Sequence, residues 1–290
     1  MNNDLKTANA SGFPLQLAVA SAVESATARN GWRVSTYEHA WKSNGQSGFA
    51  DLVLENKEKN ITRMVVECKK RKGSLLFYCP SGKDEETARF GVRWGFRLPN
   101  KYDEGGWEDV KFDPPSLEAE FCIVNGDGNG RQRTMLEGLA HEVIQSVCGI
   151  CDEELRLSED DYGGSALVYM PVIVTTAALR VCKFKLDDVS LETGEISDAE
   201  FESVPFIRFR KTLTFDNADL TACSTLDDAR RSNERTVLVV HAASCLDFLD
   251  AWGTEKRPDR DFPWLRVMDK AKAESRLRWQ QEALKKKSPS

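Results

Sequence analysis

Asp51, Glu67 and Lys69 interrupt two otherwise apolar stretches, FADLVLE (Phe49–Glu55) and ITRMVVECKK (Ile61–Lys70), where a buried strand would hold valines. Two carboxylates and an ammonium are the parts that metal-assisted phosphodiester hydrolysis needs. Carboxylates hold one or two divalent cations, the cation lowers the pKa of a bound water, and a lysine orients that water and stabilises developing charge. Magnesium takes hard oxygen ligands and keeps several waters, so two or three carboxylates suffice. The competing explanation is plainer: these are outward-facing positions of two exposed strands in a chain that is 30% charged.

The spacing bears on that choice. Residues two apart in a strand face the same side, so Glu67 and Lys69 project together. Cys68 turns the other way into the packing, and its backbone carbonyl stays available as a further metal ligand. Fifteen residues, Leu52 to Val66, separate Asp51 from Glu67. That is a natural hairpin length, which sets Asp51 beside Glu67 on the neighbouring strand. Lys70, Arg71 and Lys72 follow at once and offer cations to a phosphate backbone next to the proposed metal.

The elements that must position these residues are legible in outline. Leu15–Arg29 is alanine-rich, lacks internal glycine and proline, and stops at Asn30-Gly31, which predicts a helix. WRVSTYEHAW (Trp32–Trp41) predicts a strand, NGQSG a turn, FADLVLE a second strand, KEKN a hairpin turn and ITRMVVECKK a third strand. Short turns favour antiparallel pairing of the three. Pro80 to Arg131 reads as a long irregular insertion with one short strand, AEFCIVN. Gln132–Leu155 carries its apolar residues at helical spacing. SALVYMPVIVTTA predicts a strand buried on both faces, followed by strands in ALRVCKFKL, VPFIRFRKTLTF and RTVLVVHAA, and a helix in SCLDFLDAW.

Helix, strand, Asp-bearing strand, Glu-x-Lys strand, then helix and strand: this order resembles the PD-(D/E)xK nuclease superfamily, the restriction-endonuclease-like fold. Asp51 matches the family's first metal-binding acid, Glu67 and Lys69 match its (D/E)-x-K pair, and Glu24 on the opening helix matches the auxiliary acid that many members carry. The proline in the family's name is Ala50 here, at a position that varies in the superfamily. The likeness is good over Leu15–Lys72 and looser through the helix at Gln132–Leu155 and the strand at Ala166–Thr176. It implies an α/β fold with a central mixed sheet flanked by helices. It implies a Mg2+- or Mn2+-dependent hydrolase acting on DNA, in restriction, repair or phage defence. The proposed ligands are Asp51, Glu67, Glu24 and the Cys68 carbonyl. A member that has lost cleavage and binds nucleic acid or a partner subunit is the alternative, and a homodimer is compatible with either.

The rest of the sequence sets bounds. With 290 residues and 41% hydrophobic content, one large domain over 1–265 (insertion about 80–131) and a charged helical tail over 266–290 are expected. Net charge is −6, which does not advertise broad phosphate binding but leaves room for a local basic groove. The polar start MNNDLKTANASGF lacks the apolar core of a secretory signal. The longest apolar run, ALVYMPVIV, is far shorter than a membrane helix of ~20 residues. A cytoplasmic protein without membrane contact is therefore expected. The eight scattered cysteines read as buried thiols rather than a disulfide framework.

Rival sites are weaker. Cys148 and Cys151 have zinc or redox spacing, with His141 seven residues before Cys148 on roughly the same helical face, but no second pair completes a site. The alternative is an apolar stripe ending the helix at CGIC. His39 and His241 lack a nucleophile partner. NGDGNG (125–130) lacks the Gly-Lys-Ser/Thr of a phosphate loop. Arg208 and Arg210, alternating with Phe209, share a face with Lys211 nearby. Arg276, Arg278 and Lys285–Lys287 lie in the tail. Each basic group is either a phosphate contact or a solvated face.

Overall fold

The computed structural model describes residues 3–57, 61–81, 89–97, 103–111, 116–125, 135–157, 167–213 and 223–253. The charged tail with Arg276, Arg278 and Lys285–Lys287 lies outside them, as do residues 126–130 of the glycine-rich run. Two helices, α1 (Asn3–Ala10) and α2 (Phe13–Asn30), precede β1 (Arg33–Ser43), β2 (Gln46–Asn56), β3 (Ile61–Lys69) and β4 (Ser74–Pro80). Next come β5 (Arg89–Arg97), β6 (Asp103–Lys111), β7 (Glu118–Ala119), β8 (Phe121–Asn125) and α3 (Met135–Leu157). The chain continues through β9 (Leu167–Thr175), β10 (Ala178–Phe184), β11 (Glu200–Ser203), β12 (Phe206–Thr212), α4 (Leu226–Ser232), β13 (Glu234–His241) and α5 (Cys245–Gly253).

Local chemistry accounts for the opening elements. Pro14 sits in the first turn of α2, where its missing N–H is no loss. Gly31, at φ 73°, ends the helix by donating its N–H to the Thr27 carbonyl. Asn44 and Gly45 both have positive φ, 46° and 77°. That is the backbone a two-residue turn needs to join β1 to β2 in the sheet's own twist.

Among the described residues, the main sheet runs β1-β2-β3-β9-β13-β12-β7. The meander β1–β2–β3 is antiparallel as expected, whereas β9 lies parallel to β3 along its whole length. On the other flank of β9, β5 pairs antiparallel at Leu167–Tyr169 and β13 pairs parallel from Val172. Pro171, with no N–H to donate, falls between those two partners, so a proline is accommodated in a central strand. Every residue of β9 is buried. A second sheet, β11-β10-β4-β8, is built from the continuations of β3 and β9.

The sheet separates two cores. One face packs α3 and the inner side of the second sheet, through Val143, Ile144, Val147, Phe77 and Val181. The other packs α2 and α5, through Val19, Val23, Trp32 and Phe248. The architecture is α/β, a mixed sheet with helices on both faces.

Two expectations need correction. The stretch read as an irregular insertion contains the hairpin β5–β6, which joins the main sheet, and β7, which joins β12, besides the expected strand in AEFCIVN, which is β8 and joins β4. Its glycines hid the strands: Gly91 and Gly95 interrupt the apolar alternation, and a Cβ at Gly95 would come within 2.9 Å of Leu155 on α3. The third helix, expected over Gln132–Leu155, runs Met135–Leu157 and so passes through CGIC, which the plain reading of the cysteine pair makes a helix end. No helix among the described residues is long and apolar enough to cross a membrane.

Candidate active site

The ladder between β2 and β3 ends at the pair Leu52–Val66. The next two residues in that register are Asp51 and Glu67, so two acids face each other across adjacent strands. Like charges in that relation destabilise a sheet by roughly 0.2–1 kcal/mol. Asp51 bends its carboxylate onto the backbone: Oδ2 accepts the Cys68 N–H at 2.7 Å. The Cys68 thiol points into the core on the α2 side, as alternation requires.

A third acid joins from β1. Glu38 lies between the pairs Tyr37–Leu52 and His39–Ala50, directly across from Asp51, and its φ is +46°. Positive φ in a non-glycine residue is a conformation that local sterics disfavour. Gln16 on α2 ties the arrangement together, its Nε2 donating to Glu38 Oε1 at 2.6 Å and to the Asp51 carbonyl at 2.8 Å. Sequence reasoning missed both residues. Gln16 had a visible signal, since it occupies a core position of α2 beside Leu15 and Val19 and is 5% exposed. Glu38 had none.

Lys69 ends β3 beside this cluster. Its carbonyl accepts from Thr175 Oγ1 at 2.8 Å and from the Thr176 N–H at 3.3 Å. The Arg71 N–H donates to Thr176 Oγ1 at 2.8 Å, so β9 clips the turn that carries Lys70, Arg71 and Lys72. Lys70 and Lys72 are exposed; Lys70 Nζ donates to the Asn9 carbonyl at the end of α1. Arg71 places Nη1 3.1 Å from Met135 Sδ at the start of α3.

The electrostatics are those of an acid cluster short of positive charge. Burial pushes the Glu67 carboxyl up to about 8, with Asp51 and Glu142 of α3 acting in the same direction, Lys69 against it, and Glu38 again with it. Burial also raises Asp51, opposed by the Cys68 N–H bond and Lys69 and reinforced by Glu38 and Glu142. Hard oxygen donors that repel one another in a half-buried notch suit a divalent cation that keeps part of its water. Among the described residues no three His, Cys, Asp or Glu side chains stand together as a ready-made metal-holding group. Asp51, Glu67 and solvent therefore make up the donor set that fits.

The structure brings Asp51, Glu67 and Lys69 together and takes Glu24 elsewhere. Glu24 Oε1 accepts the Val34 N–H at 2.7 Å, at the start of β1. It lies eight residues beyond Gln16, roughly 12 Å along the helix, so Gln16 and Glu38 occupy the place that the resemblance gave it.

The rival sites resolve into structure. Cys148 and Cys151 are buried on α3 and form no disulfide among the described residues, and burial pushes the Cys151 thiol up to about 12, far from thiolate chemistry. His141 Nδ1 meets the Leu213 carbonyl at 2.8 Å, His39 pairs with Glu153 at 3.1 Å, and His241 Nδ1 accepts the Ala243 N–H at 3.3 Å. Arg208 and Arg210 do share a face, but they meet carboxylates. Arg208 pairs with Glu118, Arg210 with Asp109 and Glu234, and Lys211 with Glu137. Arg208 and Arg210 therefore form neither a phosphate surface nor a solvated face.

No family model, no curated protein and no solved structure matches this chain.

Proposed function

We propose that this protein is a divalent-metal-dependent nuclease of the PD-(D/E)xK type, built on a restriction-endonuclease-like core and hydrolysing phosphodiester bonds of DNA. The observation that carries the reading is the facing pair Asp51–Glu67, half-buried and surrounded by further acids. Folding alone gains nothing from that arrangement, and half-buried acids whose pKa values are raised by burial and by one another are candidates for a functional site.

Mg2+ or Mn2+, when bound, neutralises phosphate charge and lowers the pKa of a coordinated water. Asp51 and Glu67 would be its carboxylate ligands, with the Cys68 carbonyl as a further oxygen. The Cys68 N–H fixes the Asp51 carboxylate, and Gln16 fixes Glu38 against the Asp51 backbone. Lys69, on the face it shares with Glu67, orients the attacking water and meets the charge that develops on the phosphoryl oxygens. Lys70 and Lys72 contact flanking phosphates. Restriction, repair or defence against phage are the settings in which such an enzyme serves.

Incubation of the purified protein with single- and double-stranded DNA and RNA in Mg2+ or Mn2+ tests this. Cleavage that disappears in Asp51→Ala and Lys69→Ala is expected; an inert wild type on all four substrates would remove the proposal's main support. One observation favours a second reading, a non-cleaving member that binds nucleic acid or a partner subunit: among the described residues the acids do not form a complete metal cage. Thermal melts separate the two, because only an intact site is stabilised by Mg2+ or Mn2+ through Asp51 and Glu67.

A further inference from the structure

The second sheet has an inner face in the core, with Leu75 and Phe77 of β4 and Leu179 and Val181 of β10. Strand alternation therefore turns Leu76, Tyr78 and Arg180 outward. The outer face is not polar. Phe121 and Ile123 of β8 are 44% and 38% exposed, and Phe201 of β11 is 53% exposed. Register places these side chains in rows. Tyr78 is paired with Phe121 on one side and with Cys182 on the other, and Cys182 is paired with Phe201. The next row is Ile123, Leu76 and Arg180. Cations flank both outer rings. The Arg180 guanidinium stands 5.6 Å from the Phe201 centroid, and Lys211 Nζ, also bound to Glu137, stands 5.3 Å from that of Phe121.

Phe121, the half-buried Tyr78 and Phe201 thus share one sheet face, with the buried Cys182 between Tyr78 and Phe201. Bases stack on such rings whatever their sequence, while arginine and lysine take the backbone phosphates. A duplex keeps its bases stacked on one another, so a platform of rings selects a single strand. The face also adjoins the site: β4 leaves the turn that follows Lys69, and β10 the turn that follows Thr175. We infer that the outer face of this sheet binds single-stranded nucleic acid, one base on each of Phe121, Tyr78 and Phe201, and leads the strand toward Asp51 and Glu67. The choice of ligand class rests on the nuclease reading.

Anisotropy of a fluorescein-labelled oligo-dT in EDTA reads binding without cleavage. Phe121→Ala and Phe201→Ala should each weaken binding about tenfold, as loss of one stacked base does. Arg180→Ala should weaken it several-fold and flatten its salt dependence. Both rings are solvent-exposed, so melting temperatures should stay near wild type, which a thermal melt checks. Equal binding by wild type and the two ring variants overturns the inference, as does a wild type without affinity. A double variant that turns a dimer into a monomer in sedimentation also overturns it, by assigning the face to a second copy. Adding Mg2+ separates the two proposals. Ring-dependent binding with no cleavage removes the nuclease reading and leaves the platform; cleavage and binding that ignore the rings do the reverse.

Discussion

β2 and β3 carry charged residues at both ends of one shared face, and the two ends are handled in opposite ways. At one end Glu55 lies across from Arg63. Arg63 pairs with Glu55 and with Glu154 of α3, which accepts the Tyr169 hydroxyl at 2.6 Å. Arg33 and Lys57 add positive charge to Glu55. At the other end, four residues away along each strand, Asp51 lies across from Glu67, with Glu38 and Glu142 adding like charge and Lys69 opposing it. The first end is an ion network complete within the chain. The second carries an excess of negative charge. The same two strands can clearly pair acid with base, so the acid–acid pair is no limitation of the hairpin.

The sharpest break between the ends is in what a substitution removes. Asp51→Ala or Lys69→Ala should lower cleavage by two or more orders of magnitude, about the loss seen when one preorganised electrostatic group is deleted, with little change in melting temperature. Arg63→Ala should do the converse. It takes a buried charged partner from both Glu55 and Glu154 while Arg33 and Lys57 stay on Glu55, which costs about 1–3 kcal/mol, read as a fall in the urea midpoint. If Asp51→Ala unfolds the protein and Arg63→Ala does not, the comparison fails.

Mg2+ sharpens the contrast at the next level. At a concentration a hundred times Kd, binding should raise stability by about 2.7 kcal/mol. Asp51→Asn should abolish that gain, and a variant at the other end, Tyr169→Phe, should keep it.

pH supplies a third test on metal-free protein. Glu67 titrates near 8 in the folded chain against an ordinary value of 4.5. The folded state therefore holds a proton that the unfolded state releases. The associated stability is complete below 4.5 and is lost as pH rises through about 8. Melting temperature should fall over that window, and Glu67→Gln should flatten the fall. A metal-free melting curve that rises across the window would contradict the charge imbalance.

The smallest effect is expected at Glu24. Glu24→Gln removes charge from an exposed acceptor and should change stability by under about 0.5 kcal/mol, with cleavage intact. Glu38→Gln should impair cleavage. Equal effects at the two positions would restore Glu24 to the site.

The extent to which the sequence disclosed this site follows from the range of its signals. Asp51, Glu67 and Lys69 were readable because a period of two and a hairpin length act over a few residues. Glu38 was not, since its role depends on a register that carries it to Asp51 and on a positive φ that no neighbour in the chain announces. Glu24 was misassigned by position on a helix whose docking the sequence does not specify; Gln16, two turns earlier, takes the contact. β5 and β6 were lost among glycines whose purpose is close approach to α3 and to each other. Arg208 and Arg210 showed their common face but not the carboxylates brought to it from β6, β7 and β13.

By itself the chain determined the antiparallel meander, the doubly buried β9, the helix period of α2 and α3, and the placing of two acids and a lysine at strand ends. These follow from alternation, apolar spacing and turn residues, which operate between near neighbours. Tertiary structure decided which end of β2 and β3 would be neutralised, because counter-charges arrive from α3 and β1, far away in sequence. It also decided that β3 and β9 continue side by side into a second sheet with aromatic rings on its outer face. Charge balance and exposure depend on all elements packed around a residue, and no local pattern encodes them.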